Sequence, residues 1–126
     1  MYNLKMTKKI IKILEFEALV FFVTTICAYY FIGASWWLFF ILLLVPDFFM
    51  VGYIKNSYIG ATIYNTGHTY VLPVVMIGMH FLFDIASFLP ISIIWFAHVS
   101  MDRMFGFGLK YDTNFKDTHL GIIEKS

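Results

Sequence analysis

Residues 36–54, WWLFFILLLVPDFFMVGYI, decide how the rest of the chain is taken. Trp36 and Trp37 read as an interfacial aromatic belt, and the apolar run behind them reads as a membrane span. Pro46-Asp47 interrupts that run, which fades near Ile54, and Lys55, Asn56 and Ser57 make a turn. An aspartate is costly in hydrocarbon, so Asp47 is expected to face the interior of a helix bundle, where it pairs or serves a function. Pro46 frees a backbone carbonyl one turn earlier and opens the position to water.

Composition agrees with a membrane reading. Of 126 residues, 60% are hydrophobic and 13% charged, where soluble domains carry about a quarter charged. The mean hydropathy is +0.78. One all-α integral membrane domain over residues 1–126 is expected, because hydrocarbon offers the backbone no hydrogen-bonding partner outside a helix or closed barrel. A net charge of +1, with no basic stripe and no RNA-binding motif, argues against nucleic acid. The single Cys27 excludes a disulfide framework and is expected to be a buried, inert thiol. No GxGxxG, P-loop or GxSxG is present.

Working outward from residues 36–54, the sequence predicts a four-transmembrane-helix bundle with spans at 16–32, 36–54, 58–83 and 88–101. A basic amphipathic lead-in over 1–14, carrying Lys5, Lys8, Lys9 and Lys12, is expected to lie on anionic lipid. A tail from 103 to 126 is expected to fold back under the bundle at Gly106, Gly108 and Gly121. All nine Lys and Arg residues fall in the lead-in, at Lys55, or from Arg103 onward. By the positive-inside rule both termini face the cytoplasm, in a multi-pass protein of the bacterial inner membrane.

That topology sorts the polar residues by depth. Asp47, His68, His98 and Asp102 all fall in the cytoplasmic half. His98 and Asp102 are four apart and share one helix face. Two imidazoles with two carboxylates form a donor set suited to a divalent metal, Zn²⁺, Mn²⁺ or Fe²⁺. Glu17, Asp117 and His119 are the candidates to complete the site or act as general base. Tyr64, Asn65 and Arg103 are expected around the ligands. A competing reading has Asp47 hydrogen-bonded to Asn65 or Tyr64, and His68 as a structural partner, in a polar clamp between helices. His80 and Asp84 share the HxxxD spacing at the opposite face and are expected to form an interfacial pair.

The segments LLVPDFFMVGY, GATIYNTGHTYVLP, WFAHVSMDR and FGFGLKYDTNFKDTHLG resemble the small bacterial membrane proteins of domain-of-unknown-function family 4260. The likeness runs from about Leu14 through nearly the whole chain and implies architecture rather than chemistry. Pro46-Asp47, His68-Thr69 and His98 to Asp102, with Gly106 beyond, also resemble the predicted inner-membrane metal-dependent hydrolases of bacteria. Those proteins carry a further acidic or histidine residue just after Pro-Asp, where this chain has Phe49 and Met50. They also carry a histidine upstream, where it has Ile63 and Tyr64. A one-metal site, or a relic of one, is therefore expected rather than a two-metal site.

Three functions follow as expectations. The first is a membrane-embedded metal-dependent hydrolase acting on a lipid or lipid-linked substrate at the cytoplasmic leaflet. The second is a non-enzymatic scaffold or partner subunit built on the polar clamp. The third is a small cation, proton or solute carrier, against which stand the apolar outer halves of the helices and the lack of an internal repeat. A homodimer stays open, but no GxxxG spacing specifies one, and Gly60 and Gly67 lie seven apart.

Overall fold

The computed structural model describes residues 4–109, 117–118 and 121–122. Helix α1 (Leu4–Ile32) is a single rod of 29 residues, about 43 Å long at 1.5 Å per residue. The lysine-bearing lead-in and the expected first span are thus one helix. It ends at Gly33, whose φ of +70° is costly for any residue with a Cβ.

The sequence predicts one helix over 36–54 and another over 58–83. Each is broken instead. Helix α2 (Trp36–Leu42) stops after seven residues, and Val45–Ile54 continues as a 3₁₀ helix. Pro46 has no N–H to donate and its ring crowds the preceding turn, which forbids a continuous α-helix. The Asp47 N–H bonds to the Leu44 carbonyl at 3.1 Å, three residues back rather than four. The Leu43 carbonyl could then be reached only from Pro46, which has no donor, so it is left to a side chain.

The second break separates α3 (Ser57–Gly67) from α4 (Val71–Phe83). Asn56 caps α3 by accepting a hydrogen bond from the Ile59 N–H at 2.8 Å. Pro73 sits in the first turn of α4, where a missing N–H is tolerated, whereas an uninterrupted rod would put it in the interior. The last rod, α5 (Phe88–Met104), follows a turn in which Asp84 takes a left-handed conformation. His80 bonds the Ile85 carbonyl at 2.9 Å rather than pairing with Asp84 as expected.

The chain is thus all-α, four rods made of five α-helices and one 3₁₀ helix among the described residues. Two rods are long and apolar enough to cross a membrane: Trp36–Ile54, 19 residues with mean hydropathy 2.1, and Ser57–Phe83, 27 residues at 1.3. At 17 residues, α5 is about 25 Å long, short of a hydrocarbon core of roughly 30 Å.

Helix α5 is the axis. Helices α1, α2 and α4 pack on it, and it buries Ser92, Ile93, Ile94, Ala97, His98, Val99 and Ser100. The apolar core joins Ile93, Ile94 and Ala97 to Tyr29 and Phe39. Tyr29 donates its hydroxyl to the Ser35 carbonyl at 2.5 Å, fastening the end of α1 to the start of α2. The outside is apolar as well, with Phe31, Trp37, Ile54 and Leu82 each at least 80% exposed. Cys27 is exposed on α1, not buried as expected.

The 3₁₀ helix packs on α3, and glycine sets how closely. A Cβ at Gly60 would overlap the Tyr53 ring, and one at Gly67 would overlap the Phe49 ring. The seven-residue spacing serves a contact within the chain. In the tail, β1 (Asp117–Thr118) pairs antiparallel with β2 (Gly121–Ile122).

Candidate metal centre

The two breaks and the axial helix meet at one point. Asp47 enters from the start of the 3₁₀ helix, His68 from the C-terminal cap of α3, and His98 and Asp102 from successive turns of α5. Carbonyls freed by the breaks are filled by α5. His98 Nδ1 donates to the Leu43 carbonyl, Trp95 Nε1 to the Gly67 carbonyl at 2.7 Å, and an Arg103 N–H to the His68 carbonyl at 3.3 Å. Each bond satisfies a main-chain oxygen that a helix end leaves without a partner.

Those bonds also fix the histidines. A backbone carbonyl can only accept, so each ring nitrogen facing one must carry the proton. His98 Nδ1 faces the Leu43 carbonyl, and His68 Nδ1 faces the Tyr64 carbonyl at 2.9 Å. In the neutral ring the lone pair is then on Nε2, and both Nε2 atoms point inward, 3.1 Å apart. Tyr64 stacks on His68 with ring centroids 3.8 Å apart and planes 11° from parallel, which fixes the imidazole plane.

Two carboxylate oxygens close the group. His98 Nε2 lies 3.3 Å from Asp47 Oδ1 and 3.2 Å from Asp102 Oδ2. His68 Nε2 lies 3.5 Å and 3.4 Å from the same two atoms. Four electron-pair donors therefore converge, all within 4.8 Å of one another. Such a group repels itself unless positive charge sits inside it.

The distances test what that charge can be. Donors bound at about 2.0–2.1 Å in a tetrahedron stand about 3.3–3.4 Å apart. Five of the six edges run from 3.1 to 3.5 Å, and the sixth, between the two carboxylates, falls within 4.8 Å. Metal-bound histidines characteristically donate their other N–H to a carbonyl or carboxylate, as both rings do here. The cluster could hold a metal ion. The imidazoles are buried, at 3% and 1% exposure, while Asp102 is 17% and Asp47 39% exposed, so the open side lies at Asp47.

A family described as a domain of unknown function (DUF4260) matches residues 11–123, a stretch that contains both helix breaks and every cluster residue. The chain belongs to the DUF4260 family. Neither a curated protein nor a solved structure matches it.

Of the residues singled out in this DUF4260 chain, the structure brings together Asp47, His68, His98 and Asp102. Tyr64 and Arg103 both touch His68. Asn65 is half-buried on α3, in the turn before His68. Glu17 is exposed on α1, outside the four-residue group. Asp117 contributes backbone to β1, but its side chain, and the whole of His119, lie outside the described residues.

Trp95 escapes sequence reasoning. Its signal was available: an indole N–H inside a helix bundle needs an acceptor, and Trp95 stands one turn before His98 on the same face.

Proposed function

We propose that this chain is a membrane-embedded, metal-dependent hydrolase acting on a lipid or lipid-linked substrate. The observation that carries the reading is the orientation of His68 and His98, whose Nδ1 atoms are committed to main-chain carbonyls so that both Nε2 lone pairs face two carboxylates. Asp47, His68, His98 and Asp102 would hold a divalent ion, which would supply Lewis-acid chemistry for hydrolysis. His68, His98 and Asp102 hold and orient. Asp47, the most exposed of the four, borders the path by which a substrate enters.

A membrane setting is supported by the two long apolar rods and by the large aromatic and aliphatic side chains left exposed around them. Soluble monomers rarely show large contiguous apolar patches. In a four-span arrangement, the distribution of Lys and Arg turns the centre toward the cytoplasmic leaflet. Helices broken within the membrane are tolerated where they line a cavity or are buried in protein, and the two breaks here surround the centre.

The test is hydrolysis by protein in detergent micelles, loaded in turn with Zn²⁺, Mn²⁺ and Fe²⁺. Short-chain phospholipids and aryl esters or phosphates serve as probes. Turnover that needs the metal, and that is lost in His68→Gln and His98→Gln, supports the reading. Protein that carries metal and hydrolyses none of these classes counts against it.

A second reading draws on the same bonds. Trp95, His98 and Arg103 all donate to carbonyls of the broken rods, so the group also works as a polar clamp. In that case a protonated imidazole provides the positive charge between the carboxylates. A clamp keeps its fold with no metal present, and the Gln variants, which retain a donor, leave its stability nearly unchanged.

A further inference from the structure

Building on the proposed metal centre, we infer that Arg103 is its anion-recognition residue and that the substrate carries a phosphate group. The guanidinium is held at two points. One N–H reaches the His68 carbonyl at 3.3 Å, and the guanidinium carbon lies 5.1 Å from the centroid of the Tyr70 ring. A cation over an aromatic face is fixed in orientation without being neutralised. Among the described residues no carboxylate pairs with Arg103, although Asp102, the adjacent residue in the chain, turns its oxygen to the two histidines instead.

A guanidinium has five N–H donors in a planar fork. One is used on His68, which leaves a face of the fork for an acceptor group. Phosphate oxygens match that geometry, and arginine binds them bidentately.

Charge points the same way. Two carboxylates and a divalent ion would cancel, so among the described residues the charge left over at the centre is the positive charge of Arg103. An uncompensated cation in a partly buried, largely apolar setting is costly unless an anion completes it. A carboxylic ester brings no charge to answer it. A phosphate monoester or diester does. The residue whose carbonyl Arg103 holds is itself a ligand, His68, so the bound anion is placed beside the metal rather than at a remote surface.

The shared chemistry, a phosphate group, can come from a lipid headgroup or from a free phosphate, and the test separates them. Full-length protein in neutral detergent is loaded with Co²⁺, whose visible spectrum reports on its ligands. Inorganic phosphate is titrated in one arm and dihexanoyl phosphatidic acid in the other. Wild-type protein is expected to bind at least one probe, with Arg103→Gln weakening that binding by tenfold or more. Gln keeps an amide N–H donor and removes the charge and the planar fork. Cobalt stoichiometry and Tm in that variant should match wild type. Tighter binding of the phosphatidic acid identifies a lipid as the source, and tighter binding of inorganic phosphate identifies a soluble one.

Equal affinity of wild type and Arg103→Gln for both probes overturns the assignment while leaving the metal centre standing. Arg103→Ala that loses stability and is rescued by Gln, with phosphate affinity unchanged throughout, shows a purely structural residue. Failure to load cobalt at all overturns the centre, and this assignment with it.

Discussion

The α1–α5 pair and the two broken rods are built from similarly apolar sequence, yet they behave as opposites. In α1 and α5 the helices run unbroken for 29 and 17 residues, and the main chain satisfies itself. Their contact is packing, centred on Tyr29, Ile93, Ile94 and Ala97. In the rods over 36–54 and 57–83, Pro46 and the end of α3 interrupt the ladder and leave carbonyls of Leu43, Gly67 and His68 to side chains of α5. The comparison teaches that the centre is a product of broken backbone. A histidine fixed to a freed carbonyl has one nitrogen committed and the other aimed.

The strongest way to break the contrast is His98→Ala, which removes a proposed ligand and leaves the part-buried Leu43 carbonyl unpaired. Loss of the bound metal is expected, with a destabilisation of about 1–3 kcal/mol from the orphaned acceptor alone. Metal analysis and thermal unfolding in detergent read the two effects separately. A variant that keeps its metal contradicts the ligand assignment.

Next in size is the pair Asp102→Asn and Asp47→Asn. Both remove a charge from the donor group, but Asp102 is the more buried. Its substitution is expected to weaken metal affinity more, with each change at least tenfold by competition against a chelator. Equal, negligible effects would point to the clamp.

Gly67→Ala probes the packing that holds the break in register. Its added methyl overlaps the Phe49 ring, at a cost of about 1–3 kcal/mol typical of overpacking. A neutral effect on Tm would show that the 3₁₀ helix is free to move away from α3.

The smallest and most discriminating comparison sets Trp95→Phe against Tyr29→Phe. Each deletes one hydrogen bond to a carbonyl, worth about 1 kcal/mol. Trp95→Phe should also lower metal affinity, because Gly67 adjoins His68, whereas Tyr29→Phe should leave it unchanged. A shared loss of affinity would mean that stability, not the break, controls the centre.

The four cluster residues were legible in the sequence, because two aspartates and two histidines within or at the ends of apolar runs announce themselves by their cost. The turns at Gly33, Asn56 and Asp84 were legible from turn chemistry. The breaks were not. Pro46 and Pro73 signal a kink or a new first turn equally well, and only tertiary partners for the freed carbonyls decide between them. Once His98 and Trp95 supply those partners, an open break is stable. Cys27 was misplaced for a related reason: an apolar neighbourhood in sequence does not distinguish a core from an exposed apolar surface.

Metal content tests the central claim most directly. Full-length wild type and the His68→Gln/His98→Gln double variant are purified in detergent after exposure to Zn²⁺, Mn²⁺ and Fe²⁺, then compared by elemental analysis at neutral pH and after acidification. One divalent ion per wild-type chain is expected, released on acidification because the donors must be unprotonated to bind, and none in the double variant. Folded wild-type protein that stays metal-free, or a double variant that retains the ion, would contradict it.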